Sequence, residues 1–305
     1  MYDIIVIGAG PAGLTAALYA RRAEKTVLVI EKESFGGQIT HSPKVENYPG
    51  FVSISGSDLG DKMLEHATEL GVEIELDTVT GISGERGDLT VTADGGEFHA
   101  KSVIIATGSK HRTLGLPDEE LYTGEGVSYC AVCDGAFYKD KTVAIVGGGN
   151  SALQEAVLLS ESCKWVYVIQ NLPYLTGEAS LAQILERRTN VSVICSHTVT
   201  ELIGDGKTLS GIKIKNADTE AVSELKLDGV FVAIGQVPEN GPFESAVTLN
   251  DYGYIEADED CMPRSNLPGV FAAGDCRTKK IRQVATAVAD GAVAALAAAR
   301  FIDTL

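Results

Sequence analysis

Positive charge is what this sequence is short of: 25 lysines and arginines stand against 42 aspartates and glutamates, a formal net charge of −17. A surface of that sign repels a phosphate backbone, which argues against nucleic acid as a partner. No basic amphipathic stretch is present to favour a membrane surface either. Long apolar runs are equally scarce. The most apolar stretch, within 284–302, is interrupted by Asp290 and Arg300 and reads as a buried helix rather than a membrane span. At the start of the chain neither a basic region nor an extended apolar core precedes the strand-like Asp3–Ile7, so the protein reads as cytoplasmic. The six cysteines are too few and too scattered for a structural disulfide framework, and only Cys130 and Cys133 are closely spaced. A zinc site would need further ligands, yet no second C-x-x-C or C-x-x-H exists, and the five histidines (41, 66, 99, 111 and 197) form no nucleophile or metal constellation. No metal is expected.

What the chain has in quantity is glycine, 33 residues, and a composition of 45% hydrophobic and 22% charged residues that suits a folded α/β protein with many tight strand-to-helix turns. Its 305 residues are enough for two domains. Apolar runs bounded by glycine alternate with longer helical patterns, the signature of parallel βαβ units. Two such units begin alike, Ile4-Ile-Val-Ile-Gly-Ala-Gly-Pro-Ala-Gly13 and Val143-Ala-Ile-Val-Gly-Gly-Gly-Asn-Ser-Ala152. Closing strands follow at 102–108 and 229–235, and a third at 269–275. Two domains need only two, so the third implies that the chain returns to its first domain after completing the second. The expected fold is α/β, with two Rossmann-like three-layer dinucleotide-binding domains, the second inserted in the first. The turn-rich stretches 115–117 and 241–244 place the joins, giving a first domain of residues 1–114 and 244–305 and an inserted domain of 115–243. Residues 284–302 read as a terminal helix packing back on the first domain.

Gly8, Gly10 and Gly13, with Pro11 and Ala12 between them, fit G-x-G-x-x-G directly after a strand and at the opening of a helix, where a pyrophosphate can approach the backbone. Glu31, at the end of the next strand, is placed to accept hydrogen bonds from a ribose. That motif alone does not distinguish FAD from NAD. The C-x-x-C of Cys130 and Cys133 stands just before an expected helix, a setting that favours the thiolate needed for disulfide exchange. Asp134, next in the chain, suits helix capping when read by itself.

Beyond these motifs, Gly36, Gly37 and Gln38, then Asn47, then Ala106, Thr107 and Gly108, the segment Cys130-Ala-Val-Cys-Asp134, Gly274 and Asp275, and finally Arg282, Gln283, Val284 and Ala285 occur in the order seen in low-molecular-weight thioredoxin reductases. The chain resembles that family over nearly its whole length. The resemblance implies FAD as cofactor, a contact between Asp275 and the FAD ribityl chain, an approach of Gln283 to Ala285 to the isoalloxazine, Asp134 as acid/base, thioredoxin as partner, and a homodimer.

The second glycine motif departs from the family. Gly147, Gly149 and Ala152 make a G-x-G-x-x-A, but the next strand, Trp165-Val-Tyr-Val-Ile169, leads into Gln170-Asn-Leu-Pro-Tyr-Leu-Thr-Gly177. NADPH-dependent relatives carry a His-Arg-Arg cluster there, with a further arginine, to hold the 2′-phosphate; this segment has no arginine, and no acid at Gln170 for an NADH ribose. Asn150 and Gln154 replace a family aspartate and glutamate. Arg187 and Arg188 read as a solvated helix end. In these departures the chain is most like the ferredoxin-dependent flavin thioredoxin reductases, which implies reduced ferredoxin as electron donor. Arg277, Lys279, Lys280 and Arg282 form the densest basic segment and a candidate docking patch for such an acidic carrier; Cys276 reads as a packed thiol. Three other readings use the same residues: an NAD(P)H-dependent thioredoxin reductase with an atypical nucleotide site, a small-molecule dithiol oxidase, and a non-catalytic flavin redox sensor.

Overall fold

The structure is a computed structural model that describes residues 1–42, 44–258, 260–263 and 267–305. In chain order the first segment forms β1 (Tyr2–Ile7), α1 (Pro11–Arg22), β2 (Val27–Glu31), α2 (Gly56–Glu69), β3 (Glu73–Leu76), β4 (Val79–Glu85), β5 (Asp88–Ala93) and β6 (Gly96–Ile105). The middle forms β7 (Lys110–His111), α3 (Glu119–Tyr122), β8 (Val127–Ser128), α4 (Ala131–Asp134), β9 (Thr142–Val146), α5 (Asn150–Ser160), β10 (Trp165–Ile169), α6 (Ala179–Glu186), β11 (Val191–Ile194), β12 (His197–Gly204), β13 (Leu209–Asn216), β14 (Val222–Lys226), β15 (Gly229–Val232) and β16 (Gln236–Val237). The last segment adds β17 (Val270–Ala272) and α7 (Val284–Ile302). These divide into two compact units, one of residues 1–110 and 237–305, the other of 111–236. The divide falls at 110/111 and 236/237, ahead of the turn-rich stretches at 115–117 and 241–244. Glu119 holds the first of those turns in its own unit by accepting hydrogen bonds from Leu114 N–H (2.8 Å) and Gly115 N–H (2.9 Å).

In the first unit β3, β2, β1, β6 and β17 run parallel in that order, and β4, β5 and the first half of β6 fold as an antiparallel meander. The run Ile4-Ile-Val-Ile7 is apolar throughout because both faces of β1 are covered. Ile4 and Val6 join a core with α1 and α7, whereas Ile5 and Ile7 join one with Leu89 and Val91 of the meander. Burying side chains of that size contributes about 1.5–3 kcal/mol each. The terminal helix α7 is long and apolar enough to cross a bilayer by length and composition, yet it packs along α1. The contact is close because it is made of alanine and glycine: a Cβ at Gly291 would stand 2.2 Å from the Ala12 carbonyl oxygen.

The second unit repeats the plan. Its parallel sheet runs β11, β10, β9, β15, β8, with α5 and α6 packed together on one side and the antiparallel β12–β13–β14 as a separate sheet. The two strand-to-helix turns are built alike. Gly8 N–H donates to Ile30 C=O and Gly147 N–H to Ile169 C=O, each at 2.8 Å. Both glycines have φ above +100°, and a Cβ would meet the Ala106 carbonyl oxygen at 2.5 Å in the first and that of Ala233 at 2.4 Å in the second, so no other residue fits either turn.

Candidate active site

The first glycine turn gathers most of the residues expected to hold a dinucleotide. Gly10 is the N-cap of α1 and Pro11 its first residue, and no side chain caps that helix, which leaves the N–H groups of its first turn facing outward. Ala9 N–H donates to Glu31 Oε2 at 2.7 Å, while Glu31 Oε1 accepts from Lys32 and Glu33 N–H, both at 2.9 Å; three peptides thus fix the carboxylate at the end of β2. Gly36 N–H donates to Ala9 C=O at 2.9 Å, and Gly37 lies against Gly10, with Gln38 exposed beside them. Ala106 N–H donates to Ile7 C=O, which sets Ala106, Thr107 and Gly108 beyond the end of β6. Asn47 Nδ2–H donates to Gln283 Oε1 at 3.2 Å, and Gln283 with Thr286 forms the capping box that starts α7 at Val284 and Ala285.

Gly274 and Asp275 lie just past β17. Asp275 is half-buried, with its Oδ1 fully out of solvent, and burial pushes its pKa up. Its Oδ1 makes no hydrogen bond, and the nearest cation, Lys279 Nζ, is 3.8 Å away. A buried acceptor left unpaired costs about 1–3 kcal/mol, so the geometry calls for a donor from outside the chain. A polyol hydroxyl supplies one, and the cradle of Gly10, Glu31 and Asp275 therefore fits FAD.

The basic segment after Asp275 is not the docking patch expected from sequence. Arg277 is buried, its guanidinium donating to both Asp290 oxygens at 2.9 and 3.0 Å, and Lys279 Nζ donates to Asp290 Oδ2 at 3.0 Å. Burial alone would raise the Asp290 carboxyl, but the hydrogen bonds from Arg277 and Lys279 outweigh it and hold the group below its usual range. Asp290 also accepts Gly274 N–H at 3.1 Å, so this ion cluster shapes the loop that carries Asp275. Arg282 stacks over the Tyr254 ring at 4.2 Å. Of the four cations Lys280 alone is exposed. The signal was in the sequence: an aspartate inside an alanine helix needs a cation. Cys276 is fully buried, its thiol pushed up to about 11 by burial, and its Sγ donates to the carbonyls of Ile105 and Ala273. Asn240, unremarked in the sequence, accepts from Thr107 Oγ1–H (3.1 Å) and donates to the carbonyls of Cys276 and Gly253.

In the second unit Cys130 and Cys133 form a disulfide with their Cα atoms 5.3 Å apart. The sequence places the pair just before a helix. In the structure Cys130 is the N-cap of the one-turn α4 and Cys133 lies within it, its N–H donating to Cys130 Sγ at 3.2 Å. Asp134 follows. Ser128 Oγ–H donates to Asp134 Oδ2 at 2.6 Å and itself accepts Cys130 N–H at 3.2 Å, tying carboxyl and cysteine to one hydroxyl. Asp134 Oδ1 is buried without a partner, and burial, only partly opposed by Ser128, raises the carboxyl. Tyr129, directly before Cys130, donates to Glu119 Oε1 at 2.9 Å and stacks on His111 with ring centroids 5.4 Å apart. Ala131 N–H donates to Glu155 Oε2 on α5 at 3.4 Å, and burial pushes the Glu155 carboxyl up to about 7. Ser128, Glu119, Tyr129 and Glu155 carried no motif. Among the described residues no group of His, Cys, Asp and Glu can hold a metal ion.

The second glycine turn is served by its own chain. Gln170 is buried, with its side chain against Gly148; its Nε2–H donates to Tyr174 C=O, and Thr176 and Gly177 N–H both donate to Gly148 C=O at 2.8 Å. Asn150 accepts Glu178 N–H at 2.7 Å. No cation lies within 170–178, and Arg188 pairs with Glu161 at the surface. A 2′-phosphate therefore has no charged partner in this segment.

A sequence profile for the pyridine nucleotide-disulphide oxidoreductases matches residues 2–291. A Listeria innocua protein named thioredoxin reductase is 43% identical over 305 residues, with all of this chain and 95% of that one covered. A Clostridium pasteurianum protein named for its place in a rubredoxin operon is 42% identical over 301 residues, covering 98% of this chain and 97% of its own. Among solved structures, thioredoxin reductase from Streptococcus pyogenes MGAS5005 superposes with a TM-score of 0.94 at 39% identity, covering 100% of this chain and 99% of that one.

Proposed function

The chain belongs to the pyridine nucleotide-disulphide oxidoreductase family, and from that premise we propose that it reduces thioredoxin through Cys130 and Cys133, with electrons from reduced ferredoxin rather than NADPH. FAD would be held by the unit of residues 1–110 and 237–305, along the first glycine turn, Glu31, the 36–38 turn, Asn47, the 106–108 turn, Asp275 and residues 282–285. When bound, it supplies the means of taking electrons singly and passing them on in pairs. The observation that carries the choice of donor is the 170–178 segment, without a cation and closed on Gly148 by its own peptides. Charge-assisted contacts to a phosphate contribute about 1.5–3 kcal/mol each, so losing a cluster of them weakens NADPH by several powers of ten. As the family resemblance implies, the working form is a cytoplasmic homodimer.

The chain's own chemistry is disulfide exchange. One thiolate of the reduced pair attacks a thioredoxin sulphur, a mixed disulfide forms and a thioredoxin thiolate leaves. The second cysteine then closes the Cys130–Cys133 bond and releases the other thioredoxin sulphur. Two thiols are oxidised, one thioredoxin disulfide is reduced, and two protons pass across. Asp134, raised by burial and free at Oδ1, is placed to hold one of them, with Ser128 fixing its other oxygen. The test is anaerobic: flavin absorbance is followed while NADPH, NADH and then chemically reduced ferredoxin are added with thioredoxin as acceptor. Bleaching and thioredoxin reduction by ferredoxin alone is the expected result; prompt bleaching by either nucleotide overturns the choice of donor.

A further inference from the structure

Asp134 and Ser128 account for one side of the redox turn. On the other side is the Ala131 peptide, the first after Cys130 and the first of α4, whose N–H has no partner within the helix. Its acceptor is Glu155 Oε2, reaching across from α5. Glu155 sits among Ala152, Leu153, Ala156 and Leu159, all buried, in the helix that opens at the second glycine turn. An anchor for one peptide N–H needs no charge, and glutamine would serve as well. A carboxyl half-buried in an apolar helix face without a cation is an expensive way to make that bond. From the elements packed on α5 the titratable side chains are Asp134 on α4, beside the two cysteines, Glu186 on α6 and Tyr167 on β10; β9 has none. No charge among them moves Glu155: burial raises it, and the Ala131 N–H opposes.

We propose that Glu155 is a positioning residue that governs the ionisation of the reduced cysteine pair through the Ala131 peptide. Cys130 Sγ accepts the Cys133 N–H and Glu155 the Ala131 N–H, two donors of one helical turn, so a thiolate on Cys130 stands in the same turn as a second anion of the same charge. Two such anions cannot both form freely, so their titrations are coupled. When Cys130 gives up its proton, Glu155 takes one up, and when the disulfide closes Glu155 returns it to solvent; no further reactant is needed. Asp134 and Glu155 then bracket the pair, the first beside Cys133 and the second behind Cys130. The inference rests on the reading of Cys130 and Cys133 as a working dithiol, but not on which donor reduces it.

The full-length holoprotein is reduced with dithiothreitol, freed of it anaerobically, and alkylated with iodoacetamide from pH 5 to 9.5, with the Cys130 and Cys133 peptides followed separately by mass spectrometry. In the unsubstituted protein the Cys130 rate is expected to rise in two steps separated by a shallow region near pH 7. Glu155→Gln should merge these into one step and raise the rate at neutral pH about tenfold, the equivalent of one pKa unit; Glu155→Asp should restore the two steps. A single ionisation in the unsubstituted protein overturns the proposal without any variant. So does a Glu155→Gln protein of unchanged flavin content and unchanged profile, since a purely structural anchor leaves the profile where it was. Failure of the donor assignment would appear in the flavin titration and leave the alkylation profile untouched.

Discussion

A carboxyl beside a redox cysteine serves better as an acid when its pKa is raised, and burial raises that of Asp134, with Ser128 holding one oxygen at 2.6 Å. Asp134→Asn is expected to lower thioredoxin turnover roughly 10²- to 10⁴-fold, the usual worth of general acid–base help, with alkylation of the reduced cysteines still intact. Retained turnover in steady-state assays would reduce Asp134 to an acceptor for the Ser128 hydroxyl. Asp290 makes the complementary case for structure. It holds Arg277 and Lys279 out of water, and breaking such a buried pair costs about 3–5 kcal/mol. Its carboxyl is depressed in the folded protein, so its contribution is full above the unfolded value of about 4 and is lost as pH falls through the folded one. Asp290→Asn should therefore lower the Tm at pH 7 and weaken the fall of Tm below pH ~4, as thermal unfolding across that range will show. The cysteine pair and Asp134 stand out in the sequence because they sit within five consecutive residues. Ser128, Glu155 and Asn240 do not, because each matters through a partner that only folding brings near: Glu155 meets a peptide 24 positions away and Asn240 a hydroxyl 133 positions away.

Two strand–glycine–helix elements were read correctly as repeats, since a positive-φ glycine packed against a carbonyl just past the neighbouring strand admits no other residue and so leaves its mark in the sequence. Their different fates are also local. In the first, Glu31 accepts the Ala9 N–H and fixes the turn; in the second, the polar and apolar residues of 170–178 fold back on Gly148. Placing arginines at that segment is expected to change the donor. Asn171→Arg with Leu172→Arg should let NADPH bleach the flavin, with a gain in affinity of roughly tenfold to a hundredfold per arginine. Anaerobic titration of the double variant measures it, and no gain would mean that the closed loop, not the missing charge, is the barrier. The compact units divide at 110/111 and 236/237, and Glu119 ties the turn at 115–117 into the second of them.

At the scale of the whole molecule, the third closing strand was enough to imply an insertion, and β17 does return to pair with β6 after the inserted segment. What composition could not show is where the few cations go. Of the segment taken as a docking patch, Arg277 and Lys279 neutralise Asp290 and Arg282 covers Tyr254, so little of it is left to draw in an acidic partner. A protein of net charge −17 meeting an acidic ferredoxin is then opposed at long range. Salt shortens that range from roughly 30 Å at 0.01 M to about 8 Å at 0.15 M. The rate constant for flavin reduction by ferredoxin, measured by stopped flow, is therefore expected to rise with ionic strength over that interval. A rate that falls instead would require a basic surface other than 277–282, and would direct the search to the exposed lysines and arginines of the second unit.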